Sequence, residues 1–121
     1  MKKHTILIVD DTPIILDVLH EVLKDDYNVK AAPDGETALK VIREFKPDLV
    51  LLDVQLPDID GYTVYKEIKN EPQLSCIPVI LLTGNKDAAK EAEGLDLGKI
   101  DYITKPAIPE VVLAKIKAHL G

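Results

Sequence analysis

The sequence predicts a doubly wound α/β domain, a five-stranded parallel sheet with helices on both faces. Three observations carry this prediction. Short runs of branched apolar residues alternate about five times with apolar positions at helical spacing along the 121 residues. The runs are nearly continuous rather than alternating, as strands are when helices cover both faces of a sheet. No repeat, low-complexity tract or linker interrupts the alternation, so a single domain spanning residues 1–121 accounts for the length.

The elements follow in order. Thr5–Val9 is the first buried strand. Thr12 offers a helix N-cap with Pro13 at the first helical position, and Ile14, Ile15, Val18, Leu19, Val22 and Leu23 recur at helical spacing. Asn28–Ala32 is a shorter strand. Asp34 is placed to cap a helix carrying Ala38, Leu39, Val41, Ile42 and Phe45. Leu49–Leu52 is a third strand, entered through Lys46-Pro47-Asp48, and Gly61 opens a helix with Val64, Tyr65 and Ile68 on one face. Pro78–Leu82 is a fourth strand. Ala88–Leu97 is a weaker, fourth helix, with Gly94 inside it and Gly98 as its stop. Tyr102–Thr104 is the fifth strand and Pro109–Leu120 the last helix.

Composition removes several functional classes. Hydrophobic residues make up 46% of the chain, enough for a core, while 30% are charged and no apolar run approaches the ~20 residues of a membrane span. The basic start Met1-Lys2-Lys3-His4-Thr5 leads into a run broken by Asp10 and Asp11, which is no secretory signal. A single cysteine, Cys76, cannot form an internal disulfide and suits a reducing cytoplasm. A formal charge of −6, with no Trp and 4% aromatics, argues against direct nucleic-acid binding by this surface.

The chemistry concentrates at the carboxyl ends of the strands. The first strand runs into Asp10-Asp11, the third into Asp53, the fourth into Thr83 and the fifth into Lys105-Pro106. Each residue alone has an ordinary reading: a cap, a turn, a strand-end hydroxyl, a solvated charge. Their shared position is the informative feature. A doubly wound sheet binds ligands beyond the carboxyl ends of its strands, where strand order reverses, and in a flavodoxin-like order the first and third strands meet there. Asp10, Asp11 and Asp53 then converge. Two carboxylates ~5 Å apart repel by roughly 3 kcal/mol at an effective dielectric near 20. Three of them call for a hard divalent cation, and oxygen donors with room for water favour Mg²⁺.

These segments resemble the receiver domain of bacterial two-component response regulators. The resemblance covers nearly the whole chain. It rests on Ile6-Leu7-Ile8-Val9-Asp10-Asp11, Pro47-Asp48-Leu49-Val50-Leu51-Leu52-Asp53, Leu56-Pro57-Asp58-Ile59-Asp60-Gly61, Leu81-Leu82-Thr83-Gly84 and Asp101-Tyr102-Ile103-Thr104-Lys105-Pro106. It implies that Asp53 is the phosphoacceptor, forming an acyl phosphate from the phosphohistidine of a histidine kinase or phosphotransfer protein. It implies that Asp11 binds Mg²⁺ directly, Asp10 acts mainly through water, and Asp53 and the Gln55 backbone carbonyl complete the protein ligands. Lys105 would pair with phosphoryl oxygens, the Thr83 hydroxyl and Gly84 amide would close on the phosphate, and Tyr102 would turn inward near Thr83. The Lys105–Pro106 bond is expected to be cis by analogy.

By the same resemblance the domain is a switch rather than an enzyme with a turnover substrate, apart from self-catalysed phosphotransfer and slow autodephosphorylation. The surface of the fourth helix, fifth strand and last helix becomes a candidate homodimer or output contact. The first helix and the loop after Lys105 become the kinase-facing surface. The last-helix segment resembles receivers that precede larger output domains, with an enzyme of cyclic di-GMP metabolism favoured over a DNA-binding winged helix. The natural chain is therefore expected to continue past Gly121. Several positions depart from the family pattern: Gly84 where Ala is frequent, Lys99-Ile100 before Asp101, and Ala107 after Lys105-Pro106. The resemblance implies that Gln55 and Asn85 occupy positions that tune phosphoryl lifetime in the family.

Three rivals share parts of this pattern. A haloacid-dehalogenase-type phosphatase needs a second aspartate two residues after its nucleophile, where this chain has Gln55. A flavodoxin needs a Ser/Thr/Gly-rich first loop, and Asp10-Asp11 would repel a flavin phosphate. A phosphorylation-independent interaction module keeps the same fold, but here all the charged site residues are present.

Overall fold

A computed structural model describes residues 3–84, 101–105 and 108–120. The candidate helix at Ala88–Leu97, its Gly98 stop, Asn85, Lys99-Ile100, the Lys105–Pro106 peptide bond and Ala107 lie outside the described residues. Five strands, β1 (Thr5–Val9), β2 (Asn28–Ala32), β3 (Leu49–Asp53), β4 (Val79–Thr83) and β5 (Asp101–Thr104), pair in the order β2-β1-β3-β4-β5. All the pairings are parallel. The described helices are α1 (Pro13–Leu23), α2 (Gly35–Phe45), α3 (Gly61–Asn70) and α4 (Pro109–Leu120). This is the predicted doubly wound, flavodoxin-like sheet.

The continuous apolar strands make sense once their two faces are separated. Leu7, Val9, Val50 and Leu52 point to one side, where Ala38 and Ile42 of α2 and Val64 and Ile68 of α3 cover them. Ile6, Ile8, Leu49 and Leu51 point to the other side, against Leu19 and Leu23 of α1 and Val112 and Ile116 of α4. Each central strand thus buries both halves of its period-two pattern. The helix after β1 covers one face and the helix after β3 covers the other. The crevice between these adjacent strands is the switch point of the sheet.

Strand limits differ from expectation by a residue. β3 extends to Asp53, which pairs with Leu82, and β4 runs from Val79 to Thr83. Pro78 has no amide to give, although its carbonyl accepts from the Val50 amide at 3.0 Å. β5 begins at Asp101. The helix starts follow the capping chemistry with one correction. Asp34 accepts from the Thr37 amide at 2.7 Å, as expected. Thr12 holds the extended cap position ahead of Pro13, but its side chain makes no cap bond; its hydroxyl turns to Asp11 Oδ1 at 3.5 Å instead. Asp60, unrecognised in the sequence, caps α3 by accepting from the Thr63 amide at 2.8 Å.

Candidate functional site

Parallel register brings the first two site carboxylates together. Val9 pairs with Leu52, so the next residues along β1 and β3, Asp10 and Asp53, emerge side by side. Asp10 is held in place by its amide, which donates to the Ala32 carbonyl at 3.1 Å. On the other side of β3, Asp53 pairs with Leu82. β4 and β5 then end level, with Thr83 paired to Thr104 and the Lys105 amide donating to the Thr83 carbonyl at 2.7 Å. The sheet therefore delivers Asp10, Asp53, Thr83 and Lys105 to one edge.

Burial separates their roles. Asp10, Asp53 and Thr83 are 0%, 3% and 1% exposed, whereas Asp11 is exposed. Asp10 Oδ1 accepts from the Thr12 amide at 2.9 Å and Asp53 Oδ1 from the Gln55 amide at 3.0 Å. The Lys105 ammonium lies between the two carboxylates, 3.2 Å from Asp10 Oδ2 and 3.1 Å from Asp53 Oδ2. Both buried carboxylates are thus satisfied by one backbone amide and one shared lysine. This is how the fold tolerates two adjacent charges removed from water.

The electrostatics remain unbalanced. Burial raises the Asp53 carboxyl above its ordinary value; the Gln55 amide and Lys105 pull it down, and the Asp10 charge pushes it up again. Burial alone would lower the Lys105 ammonium, but the Asp53 and Asp10 carboxylates outweigh it and hold the lysine protonated. Among the described residues, Asp10, Asp11 and Asp53 form one group whose ligand oxygens lie within 4.8 Å of one another. Three carboxylates and one ammonium formally leave two negative charges, which a divalent cation cancels. The donors are all hard oxygens, partly open to solvent through Asp11, and they fit Mg²⁺ rather than a soft metal.

The remaining expected residues sit around this group. Gln55 is exposed, one residue past the kinked exit of β3. Gly84 follows Thr83 in an exposed position, and a Cβ added there would meet nothing within 4 Å, so this glycine is no steric requirement. Tyr102 is half-buried on β5, packed at the margin of the α2/α3 side of the core.

Two residues outside the expected site set, Gly61 and Asp58, shape the site from behind. Gly61 starts α3 against the back of Asp53. A Cβ there would collide with the Asp53 carbonyl oxygen and lie 2.6 Å from the Val54 Cα, so only glycine fits. The Gly61 amide also donates to the Val54 carbonyl at 2.9 Å. Asp58 reaches across to α2, accepting from the amides of Gly35 and Glu36. The segment Leu56-Pro57-Asp58-Ile59-Asp60-Gly61 carried the signal for both, but their partners are distant in sequence or belong to the backbone.

Comparison with known proteins agrees with this fold. The chain is 40% identical over 99% of its length to a probable cyclic di-GMP phosphodiesterase of Vibrio cholerae, of which it spans 27%. It is 40% identical over 95% of its length to the alkaline phosphatase synthesis transcriptional regulatory protein PhoP of Bacillus subtilis, spanning 48% of that protein. It thus covers half or less of these curated relatives. Among solved structures it is similar to the BeF3-activated DrrB receiver domain, with a TM-score of 0.83, 37% identity and coverage of 98% of this chain and 97% of that one. The family model for the response regulator receiver domain matches residues 6–117, and with it the chain belongs to the receiver domains of two-component response regulators.

Proposed function

We propose that this receiver is a phosphorylation switch whose acceptor is Asp53, charged by a histidine kinase or phosphotransfer protein. The observation that carries this reading is the Asp53 carboxylate itself: buried, raised in pKa, and held between the Gln55 amide and Lys105 beside two further aspartates. Residues Asp11, Asp53 and the Gln55 carbonyl would hold Mg²⁺ directly. Asp10 would act through water, the role that the family resemblance implies for this position. Bound there, the cation supplies charge neutralisation to a phosphoryl group in transfer. Lys105 releases Asp53 Oδ2 and turns its ammonium to the incoming phosphoryl oxygens, Asp53 attacks phosphorus, and the bond to the donor histidine breaks. The Thr83 hydroxyl and Gly84 amide then donate hydrogen bonds to the new phosphoryl oxygens.

The docking and output surfaces follow from the same placement. Ile14 on α1 is 73% exposed and Ile108, after Lys105, is 52% exposed. These apolar residues near the acceptor edge suit a kinase or phosphotransfer partner. Tyr102 moves inward beside Thr83 when Asp53 is charged, altering a homodimer or output surface formed by the segment 88–97, β5 and α4. Crystal structures with and without beryllofluoride check this: an unchanged Tyr102 rotamer would exclude the aromatic step. The domain, taken as residues 1–121, acts in the cytoplasm, has no turnover substrate of its own, and controls an output carried elsewhere in a longer protein. The partial coverage of its relatives supports that arrangement.

The test is direct. Acetyl phosphate and Mg²⁺ should add one phosphoryl group to the wild-type domain by intact mass, and none to Asp53→Asn, since an amide cannot form the acyl phosphate. Equal labelling of both proteins would sink the assignment.

A further inference from the structure

The loop from β3 to α3 carries Gln55, and its shape is set from an unexpected direction. Its first end is fixed by the Val54 amide, which donates to the Leu82 carbonyl at 3.1 Å, and by the Gly61 amide on the Val54 carbonyl. Its far end is fixed by Asp58, whose Oδ1 accepts from the Gly35 amide and Oδ2 from the Glu36 amide, both at 2.9 Å. Those are the first two amides of α2, and Asp34 takes the third, that of Thr37. Three amides that a helix start leaves unpaired are thereby satisfied by two carboxylates, one local and one borrowed from the site loop. Ile59 completes the anchor, for a Cβ at Gly35 would collide with its side chain. Between the two anchors only Gln55, Leu56 and Pro57 remain, and Pro57 has a locked φ.

We propose that Asp58 is a positioning residue for the cation site, clamping the loop to α2 so that Gln55 presents its amide to Asp53 and its carbonyl to the metal. This inference rests on the functional reading above, since the metal and the Gln55 carbonyl ligand belong to that reading. Its content is separate: α2, which contributes no ligand, sets the geometry of one. The bonds are charge-assisted, because the amides of Glu36 and Gly35 hold the Asp58 carboxyl below its ordinary value and the helix start favours a negative group. Substitution of residues that orient a metal ligand commonly weakens binding by roughly 10- to 100-fold, and a clamp three residues removed belongs at the lower end.

The experiment uses Mg²⁺ titration by calorimetry and amide hydrogen exchange of the metal-free protein, on the wild type, Asp58→Asn, Asp58→Ala and Asp34→Ala. Asp34→Ala is the control, because it uncaps the same helix end without touching the loop. The expected result is Mg²⁺ affinity about 10-fold weaker in Asp58→Ala, a smaller loss in Asp58→Asn, and no change in Asp34→Ala. The Gln55 amide should exchange faster in both Asp58 variants and not in Asp34→Ala. Wild-type affinity and wild-type Gln55 exchange in the Asp58 variants would overturn the proposal while leaving the switch intact. Equal losses in Asp34→Ala would also overturn it, reducing Asp58 to a helix cap. If Asp58→Ala does not fold, Asp58→Asn, which preserves side-chain shape, decides by the same two readouts. Failure of the switch reading looks different: the wild type itself would not bind Mg²⁺, and faster Gln55 exchange alone would still support the clamp.

Discussion

At the scale of single residues, the site is bought at the expense of stability. Asp53 is buried beside Asp10, and Lys105 is shared between them. A carboxyl whose folded pKa lies above its unfolded value of about 3.9 holds its proton more tightly when folded. Burial raises the Asp53 carboxyl in this way, so folding stability falls as pH rises from about 4 through the folded value, and the loss is complete once the carboxyl is ionised in both states. Asp53→Asn removes that loss while keeping side-chain shape. In Mg²⁺-free buffer at pH 7 it should raise Tm by about 3 °C, corresponding to roughly 1 kcal/mol. A Tm lowered by the substitution would mean that Lys105 more than compensates the buried charge. Asp10 and Asp53 were visible in the sequence because each follows an apolar run directly, and Asp11 because it extends the first of these into an acidic pair. Asp58 was not, because its partners Gly35 and Glu36 lie 23 and 22 positions away and are backbone amides. Gly61 was visible only as a helix start; its contact with the Asp53 backbone depends on how α3 approaches β3.

At the scale of elements, what was legible depends on how strongly burial dictates pattern. β1, β3 and β4 are buried along nearly their whole length, so their apolar runs marked them; β1 has the expected limits, and only the ends of β3 and β4 moved by a residue. Those ends are decided by neighbouring strands, as Asp53 pairing with Leu82 shows. α1 reads as more apolar than one buried stripe needs, and the structure buries Leu19 and Leu23 while leaving Ile14 and Val18 exposed. Phe45 closes α2 at the surface, with the Lys30 ammonium 4.0 Å over its ring. β5 and α4 are joined by polar contacts that no periodicity reports: Lys115 lies 2.6 Å from Asp101 Oδ1 and His119 lies 3.0 Å from Oδ2. Burial alone would raise the Asp101 carboxyl, but the hydrogen bonds from Lys115 and His119 and the Lys115 charge outweigh it and hold it below its ordinary value. Its folded pKa is thus depressed, so the contribution is present above about pH 4 and is lost as pH falls through the folded value. Asp101→Asn should cost about 0.5–1 kcal/mol at neutral pH. The gap from wild type should close on acidification below about pH 4, followed by chemical denaturation across pH. A gap that is constant with pH would show that the ion pairs contribute nothing.

At the scale of the whole molecule, the order β2-β1-β3-β4-β5 turns a set of strand ends into a site. The first crossover puts α1 on one face and the next two put α2 and α3 on the other, so the crevice opens where Asp10 and Asp53 emerge. The account's central claim is that Asp53 is the residue this architecture serves. Borohydride reduction after reaction with acetyl phosphate and Mg²⁺ tests it most directly, because it converts an acyl phosphate on aspartate to homoserine. Peptide mass spectrometry should then find homoserine at position 53 alone, with Asp10 and Asp11 unaltered. Homoserine at another aspartate, or a phosphorylated protein with no homoserine at all, would contradict the account.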